Sequence, residues 1–186
     1  ATAEFSTGML ENNWGFSGRL SKIYSDGYID RAFADLKSFY FAAHYLTEKQ
    51  SLRLTAFSGK ERTYQSWYGV SENDLLNNRT SNVYTYENQI DNYQQDHYQL
   101  HYDLRPLPER LPSLKFSTAL HYTRGRGYYE ELRMNESFDD YGLLPIIMSG
   151  DTTNSTDLVR QRWLDNHFIG GVYALVYKKE LEKERV

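Results

Sequence analysis

The residues of this chain best suited to meet another molecule are arginines and aromatics. Arg124-Gly125-Arg126-Gly127-Tyr128-Tyr129 sets two guanidinium groups beside paired phenols. Guanidinium forks pair with anions through two parallel hydrogen bonds, and aromatic faces stack, so this segment suits an anionic chelate. The competing reading makes Tyr128 and Tyr129 packing residues, and Gly125 and Gly127 sites of a bend or bulge. A second set, Tyr64, Trp67, Tyr68, Tyr84, Tyr86 and Tyr93, falls in or beside the polar stretch Gln65–Asp91. Aromatics on a loop combine contact area with a polar handle, so these are the stronger ligand candidates.

Other constellations carry less. His97 and His101 have the i, i+4 spacing of metal ligands on a helix, but on a strand it parts them by ~13 Å, so no metal site is expected. Glu130-Glu131 and Asp139-Asp140 have no nucleophile or base beside them and read as solvated loop charges. Asp26-Gly27 is turn chemistry, with Asp30 or Arg31 placed to pair across a hairpin. No enzyme activity and no cofactor are expected.

The elements that position these residues are strands. Alternation of apolar and polar residues predicts seven of them: Thr2–Met9, Trp14–Tyr24, Ala34–Leu46, Ser51–Tyr64, Asn92–Leu104, Leu114–Leu132 and Leu158–Tyr177. The cleanest is Tyr98, Leu100, Tyr102 and Leu104 against Gln99, His101 and Asp103. Ser71 is placed to cap a short helix inside the first long stretch. Pro106, Pro108 and Pro112 forbid a ladder over Arg105–Ser113. Connections alternate between short and long. The long ones, Gln65–Asp91 and Arg133–Asp157, share a side with Ser25–Arg31, while the charged tail Lys178–Val186 reads as the start of another short turn.

That asymmetry matches a transmembrane β-barrel, with tight turns on one side of the membrane and long loops on the other. The alternation assigns Phe39, Phe41, Leu52, Leu54, Leu100, Tyr102, Leu114, Phe116 and Leu120 to a lipid face. It assigns Arg53, Gln99, His101, Asp103, Lys115 and His121 to a lumen. Composition agrees: aromatics are 16% of the 186 residues, yet mean hydropathy is −0.72, as expected where only every second strand residue meets lipid. No run reaches the ~20 apolar residues of a membrane helix. A net charge of −4 leaves no footprint for nucleic acid, and without cysteine there is no thiol chemistry. Seven strands leave two open edges, which lipid does not tolerate. The expected fold class is therefore all-β, an antiparallel up-and-down meander forming one segment, residues 1–186, of a larger barrel.

Four stretches, in order, carry a family likeness. They are Gly18-Arg19-Leu20-Ser21-Lys22-Ile23-Tyr24-Ser25-Asp26-Gly27-Tyr28-Ile29-Asp30-Arg31-Ala32, Phe57-Ser58-Gly59-Lys60-Glu61-Arg62-Thr63-Tyr64-Gln65-Ser66-Trp67, Asp91-Asn92-Tyr93-Gln94-Gln95-Asp96-His97-Tyr98-Gln99-Leu100 and Leu120-His121-Tyr122-Thr123-Arg124-Gly125-Arg126-Gly127-Tyr128-Tyr129-Glu130-Glu131. Together they resemble the barrel of TonB-dependent outer-membrane receptors, closest to those of Bacteroidetes. The resemblance implies a barrel of about 22 strands around a plug domain, in the bacterial outer membrane. Its partners would be outer-membrane lipid, the TonB system acting through the plug, and a scarce small-molecule ligand. An iron chelate (siderophore or haem) is the first expectation, with cobalamin or a glycan as others. The chain shows neither plug nor TonB-contacting box, so it is expected to be an internal barrel piece. The alternative is a soluble or surface β-rich binding module without transport activity.

Overall fold

A computed structural model describes residues 1–106, 109–111 and 113–178. Pro108, Pro112 and nearly all of the charged tail expected to begin a turn lie outside the described residues. Strands take up 65% of the chain. Seven of them form one antiparallel sheet: β1 (Thr2–Met9), β2 (Trp14–Ser25), β3 (Ala34–Leu46), β4 (Gln50–Tyr64), β5 (Ile90–Leu104), β6 (Lys115–Ser137) and β9 (Ser155–Val176). Each pairs with its chain neighbour in this series, so the sheet is a pure meander. Between β6 and β9 stand a 3-10 turn, Phe138–Tyr141, and a small hairpin of β7 (Ile146–Met148) and β8 (Asp151–Thr153). One helix, α1 (Glu72–Asn77), lies in the β4–β5 loop, where the Ser71 hydroxyl accepts from the Asp74 amide as expected of an N-cap.

The expected boundaries hold closely except at the long hairpin. The polar run expected as a loop over Arg133–Asp157 is shorter than expected, because β6 runs to Ser137 and β9 begins at Ser155. Glu136 still pairs with Thr156, past an irregularity that follows Arg133. Polar side chains by themselves do not stop a ladder. These two strands, of 23 and 22 residues, far outrun the ~9–11 residues that cross a tilted bilayer. Gly125 and Gly127 were expected at a bend or bulge, yet pairing runs through both without a shift. They are small for another reason: a Cβ at Gly125 would strike the Tyr93 hydroxyl, and one at Gly127 the Tyr93 backbone and ring.

The pleat sorts side chains onto two faces. Cross-strand register aligns Phe16, Ala43, Leu54, Leu100 and Leu120 in one row. The next row holds Phe5, Gly18, Phe41, Ala56, Tyr98, Tyr122 and Ile169. The opposite face carries Ser17, Ala42, Thr55, Gln99 and His121 in one row, and His44, Arg53 and His101 in the row beside it. The nine residues grouped as apolar and the six grouped as polar from sequence share faces as expected, for all those within strands.

The apolar face is uncovered: Leu20 is 65% exposed and Ile169 77%. The sheet does not close, since β1 and β9 each pair on one side only among the described residues. Total accessible surface is 14064 Å² for a 21.9 kDa chain, against about 9300 Å² for a compact monomer of that mass. Among the described residues the sheet therefore has no second layer to bury its apolar face. The buried hydrophobes are few, and Tyr64, Ile90 and Phe138 among them sit at the end of the sheet where the long loops emerge.

Candidate ligand-binding site

The β4–β5 loop is tied down by two buried glutamines. The Gln65 amide donates to the Gln89 carbonyl at 2.8 Å, closing the loop at its base. The Gln65 side-chain nitrogen reaches the carbonyls of Ile90 and Glu130, both at 3.2 Å. Gln89 donates its side-chain nitrogen to Gln65 Oε1 at 3.0 Å, and its own Oε1 accepts from the Leu132 amide at 3.1 Å. The end of β4, the start of β5 and the interior of β6 are thus joined through one polar knot. Gln65→Leu would leave two buried carbonyls and the Gln89 side-chain amide short of partners, at about 1–3 kcal/mol per group. Amide exchange over residues 66–88 is expected to quicken roughly tenfold or more in that variant. An unchanged exchange profile would show that the knot does not hold the loop.

A second clamp comes from the β2–β3 turn. Arg31 donates from Nε and Nη2 to the Tyr84 carbonyl at 3.1 and 2.5 Å, and from Nη2 to the Asn82 carbonyl at 3.3 Å. Asn82 donates its side-chain nitrogen to the carbonyls of Asp30 and Gln65 at 3.1 and 3.0 Å. Arg31 therefore pairs with the next loop rather than across its own hairpin. Gly27 takes φ +77° with Ala32 packed where a Cβ would stand, as the Asp-Gly turn requires.

On this scaffold the aromatic candidates divide in two. Trp67, Tyr68, Tyr84 and Tyr129 form one cluster. The Trp67 ring meets Tyr129 edge-on at 5.7 Å and Tyr84 at 6.4 Å, and Tyr68 leans on Tyr84 at 5.6 Å. The Arg162 guanidinium lies 5.7 Å from the Tyr129 ring centre. Trp67 is 57% exposed and Tyr68 67%, so the rings offer open faces at the loop end. Burial, and then the neighbouring Tyr68, raise the Tyr84 phenol above its ordinary value, so it stays a neutral hydrogen-bonding group. Register puts Tyr129 and Arg162 on the polar face of the sheet, in one row with Thr63 and Asp91. Tyr93 also lies on that face, in line with Glu61.

Tyr64 and Tyr86 are used internally. The buried Tyr64 hydroxyl donates to the Tyr86 carbonyl, and the Tyr86 hydroxyl to Glu130 Oε1, both at 2.7 Å. The bond to Glu130 raises the Tyr86 phenol. Glu130 Oε2 accepts from Gln161 at 2.6 Å. Glu131 receives two bonds from Arg160, at 2.9 and 2.5 Å. Glu130 and Glu131 are 7% and 9% exposed. The expectation that they are solvated loop charges is corrected: both sit in β6, are buried, and accept side-chain hydrogen bonds from other elements. Asp139 and Asp140 are exposed, in the 3-10 turn.

Arg124, Arg126 and Tyr128 stand apart from the cluster. Alternation along β6 puts them on the apolar-face side, opposite to Tyr129. Arg124 pairs with Asp165, and Arg126 reaches the same carboxylate at 3.8 Å. The Arg126 guanidinium lies 5.5 Å from the Trp163 ring centre, and Tyr128 packs on Trp163 at 4.7 Å. Of the ten candidates read from sequence, four converge, two are interior supports, three face the other way, and Tyr93 packs over Gly125 and Gly127. Arg162 was missed. No local signal marks it, because only the β6–β9 register sets its guanidinium beside the Tyr129 ring. His97 bonds Thr123 at 2.9 Å and stacks on Phe57 at 4.4 Å. Among the described residues no three His, Asp or Glu side chains gather as for a metal.

The fold and site define a class only: an antiparallel β-meander with one bare apolar face and an aromatic cluster at its loop end. Compared with protein-family models, curated proteins and solved structures, the chain matches none.

Proposed function

We propose that this chain is a wall segment of an outer-membrane β-barrel receptor of the TonB-dependent kind. Its loop-end cluster of Trp67, Tyr68, Tyr84 and Tyr129 would meet incoming ligand. The observation that carries the reading is the height of the bare apolar face. From the row of Leu104 and Phe116 to the row of Leu20 and Phe39 is eight residue steps, Leu104 to Asp96 on β5; this last row is apolar on β1–β3 and carries Asp96 and Arg124 on β5 and β6. That is ~27 Å along the strand, or about 20 Å at barrel tilt, near the ~25 Å apolar band of such barrels. Trp14, Tyr45, Tyr102 and Tyr173 share a row near its turn-side rim, the place of an interfacial aromatic girdle. A soluble binding module would leave this face in water.

The cluster offers aromatic faces, phenol hydroxyls and one guanidinium, which suit a ring-bearing cargo. An iron chelate remains the first candidate, with haem, cobalamin and a glycan as the others. In the complete protein, Trp67→Ala with Tyr129→Ala is expected to weaken ligand binding tenfold or more, in line with about 1–3 kcal/mol for anchoring aromatics. Arg124→Ala with Arg126→Ala should change it little. Binding of ferric chelates, haem, cobalamin and oligosaccharides to each variant decides the matter. If the arginine pair alone matters, the site lies on the other face. If neither pair matters for any ligand, the receptor assignment of this cluster fails.

A further inference from the structure

Just beyond the apolar band, on its loop side, register lines up Lys22, Lys37, Lys60, Gln94, Arg126 and Asp165 across six strands. Lys22, Lys37 and Lys60 are directly opposite one another on three consecutive strands. Neighbouring strands lie about 4.8 Å apart, so the backbone positions of the three lysines fall within roughly 10 Å. Like charges directly opposite destabilise a sheet unless something neutralises them. Within the sheet the compensation is thin. Asp35 stands 3.8 Å from Lys22 and 3.6 Å from Lys37, beyond hydrogen-bond reach, and its Oδ1 is buried without a hydrogen-bond partner. Lys60 has no ion-pair partner among the described residues. Arg62 adds a fifth cation in the next row. Five cations face Asp35 and Asp165 alone in these two rows, an excess of about three positive charges in a chain of net charge −4.

Two hollows flank the row. One, a depression of about 350 Å³, is walled by Lys60, Asp96, Arg124, Arg126, Tyr128 and Trp163, so it sets one carboxylate among three cations. On the band side, an apolar groove of about 400 Å³ has Ala3, Phe5, Leu20, Phe39 and Phe41 in its walls. The Phe5 ring occupies the place a Cβ would take at Gly18, which flattens the groove. A cationic shelf above an apolar groove is complementary to a phosphorylated headgroup with an acyl chain below it.

We propose that Lys22, Lys37, Lys60 and Arg126 seat the phosphate groups of an anionic lipid at the loop-side rim of the apolar band. The proposal rests on the outer-membrane reading above. Lysine suits the role because its ammonium is a point charge on a flexible stem that can follow a mobile phosphate.

The test uses the complete protein in phosphatidylcholine nanodiscs doped with phosphatidylglycerol or lipid A, with retained lipid counted by native mass spectrometry. Wild type is expected to retain the phosphorylated lipid. The triple variant Lys22→Gln, Lys37→Gln, Lys60→Gln should retain it roughly tenfold to a hundredfold less at low ionic strength, and added salt should narrow the gap. The triple lysine-to-arginine variant should behave as wild type, which separates charge from folding. Equal retention by wild type and the glutamine variant overturns the inference while the protein still inserts. Displacement of lipid by millimolar inorganic phosphate would make this a free-anion site and overturn the lipid assignment. Failure of the complete protein to enter bilayers at all overturns the outer-membrane reading and this inference together.

Discussion

An arginine at Leu100 is expected to destabilise the complete protein in a bilayer by about 2–4 kcal/mol, whereas an arginine at Gln99 has a mild effect. The two positions are adjacent, so the contrast isolates the face. Leu100 lies between Leu54 and Leu120 in the ladder, in the middle row of the apolar band. Gln99 lies between Thr55 and His121 on the opposite face. At the middle of the band the guanidinium would have no aqueous surface within easy reach, whereas on a lumenal face it would meet water and polar neighbours. Reversible folding of the complete protein into phosphatidylcholine vesicles, titrated with denaturant, measures both. Equal penalties at the two sites would mean that the apolar face does not meet lipid, because a pleated sheet cannot bury both neighbours in one phase.

The second large effect concerns the 186-residue chain by itself in water. It is expected to self-associate rather than persist as a monomer. Its surface exceeds that of a compact protein of its mass by about half, and much of the excess is the apolar face. Both edge strands also present unpaired N–H and C=O groups along their length, which template further pairing. β9 is the worse edge, with exposed Phe168 and Val172 on one face and Leu175 on the other. Sedimentation in dilute buffer should give oligomers or aggregate, and detergent micelles should reduce the association. A monodisperse monomer in detergent-free buffer, with its edge amides protected from exchange, would contradict the open-sheet architecture. It would favour the soluble binding module.

Much of the architecture was legible from local pattern. Strand positions, meander parity, the Ser71 cap and the division of Phe41, Leu54 and Leu100 from Gln99, His101 and Arg53 all follow from the period of two. That period is a property of the pleat and needs no knowledge of partners. The same rule separates Tyr128 from Tyr129, although their adjacency in sequence invites one shared role. Reading them together with Arg124 and Arg126 as a single patch set spacing against pleat, and the pleat decides.

What the sequence by itself determined, then, is which residues can share a face and where each strand turns back. Tertiary structure alone decided which distant groups meet. Glu130 and Glu131 look like loose charges until β9 supplies Gln161 and Arg160. Gln65 and Gln89 look like ordinary loop polars until β4, β5 and β6 converge on them. Arg31 finds its acceptors at Asn82 and Tyr84, 51 and 53 residues away. The physical reason is that backbone conformation responds to neighbours in sequence, through sterics and side-chain alternation. Satisfying a buried carboxylate, amide or guanidinium depends on register and loop path, which join segments that share no local pattern.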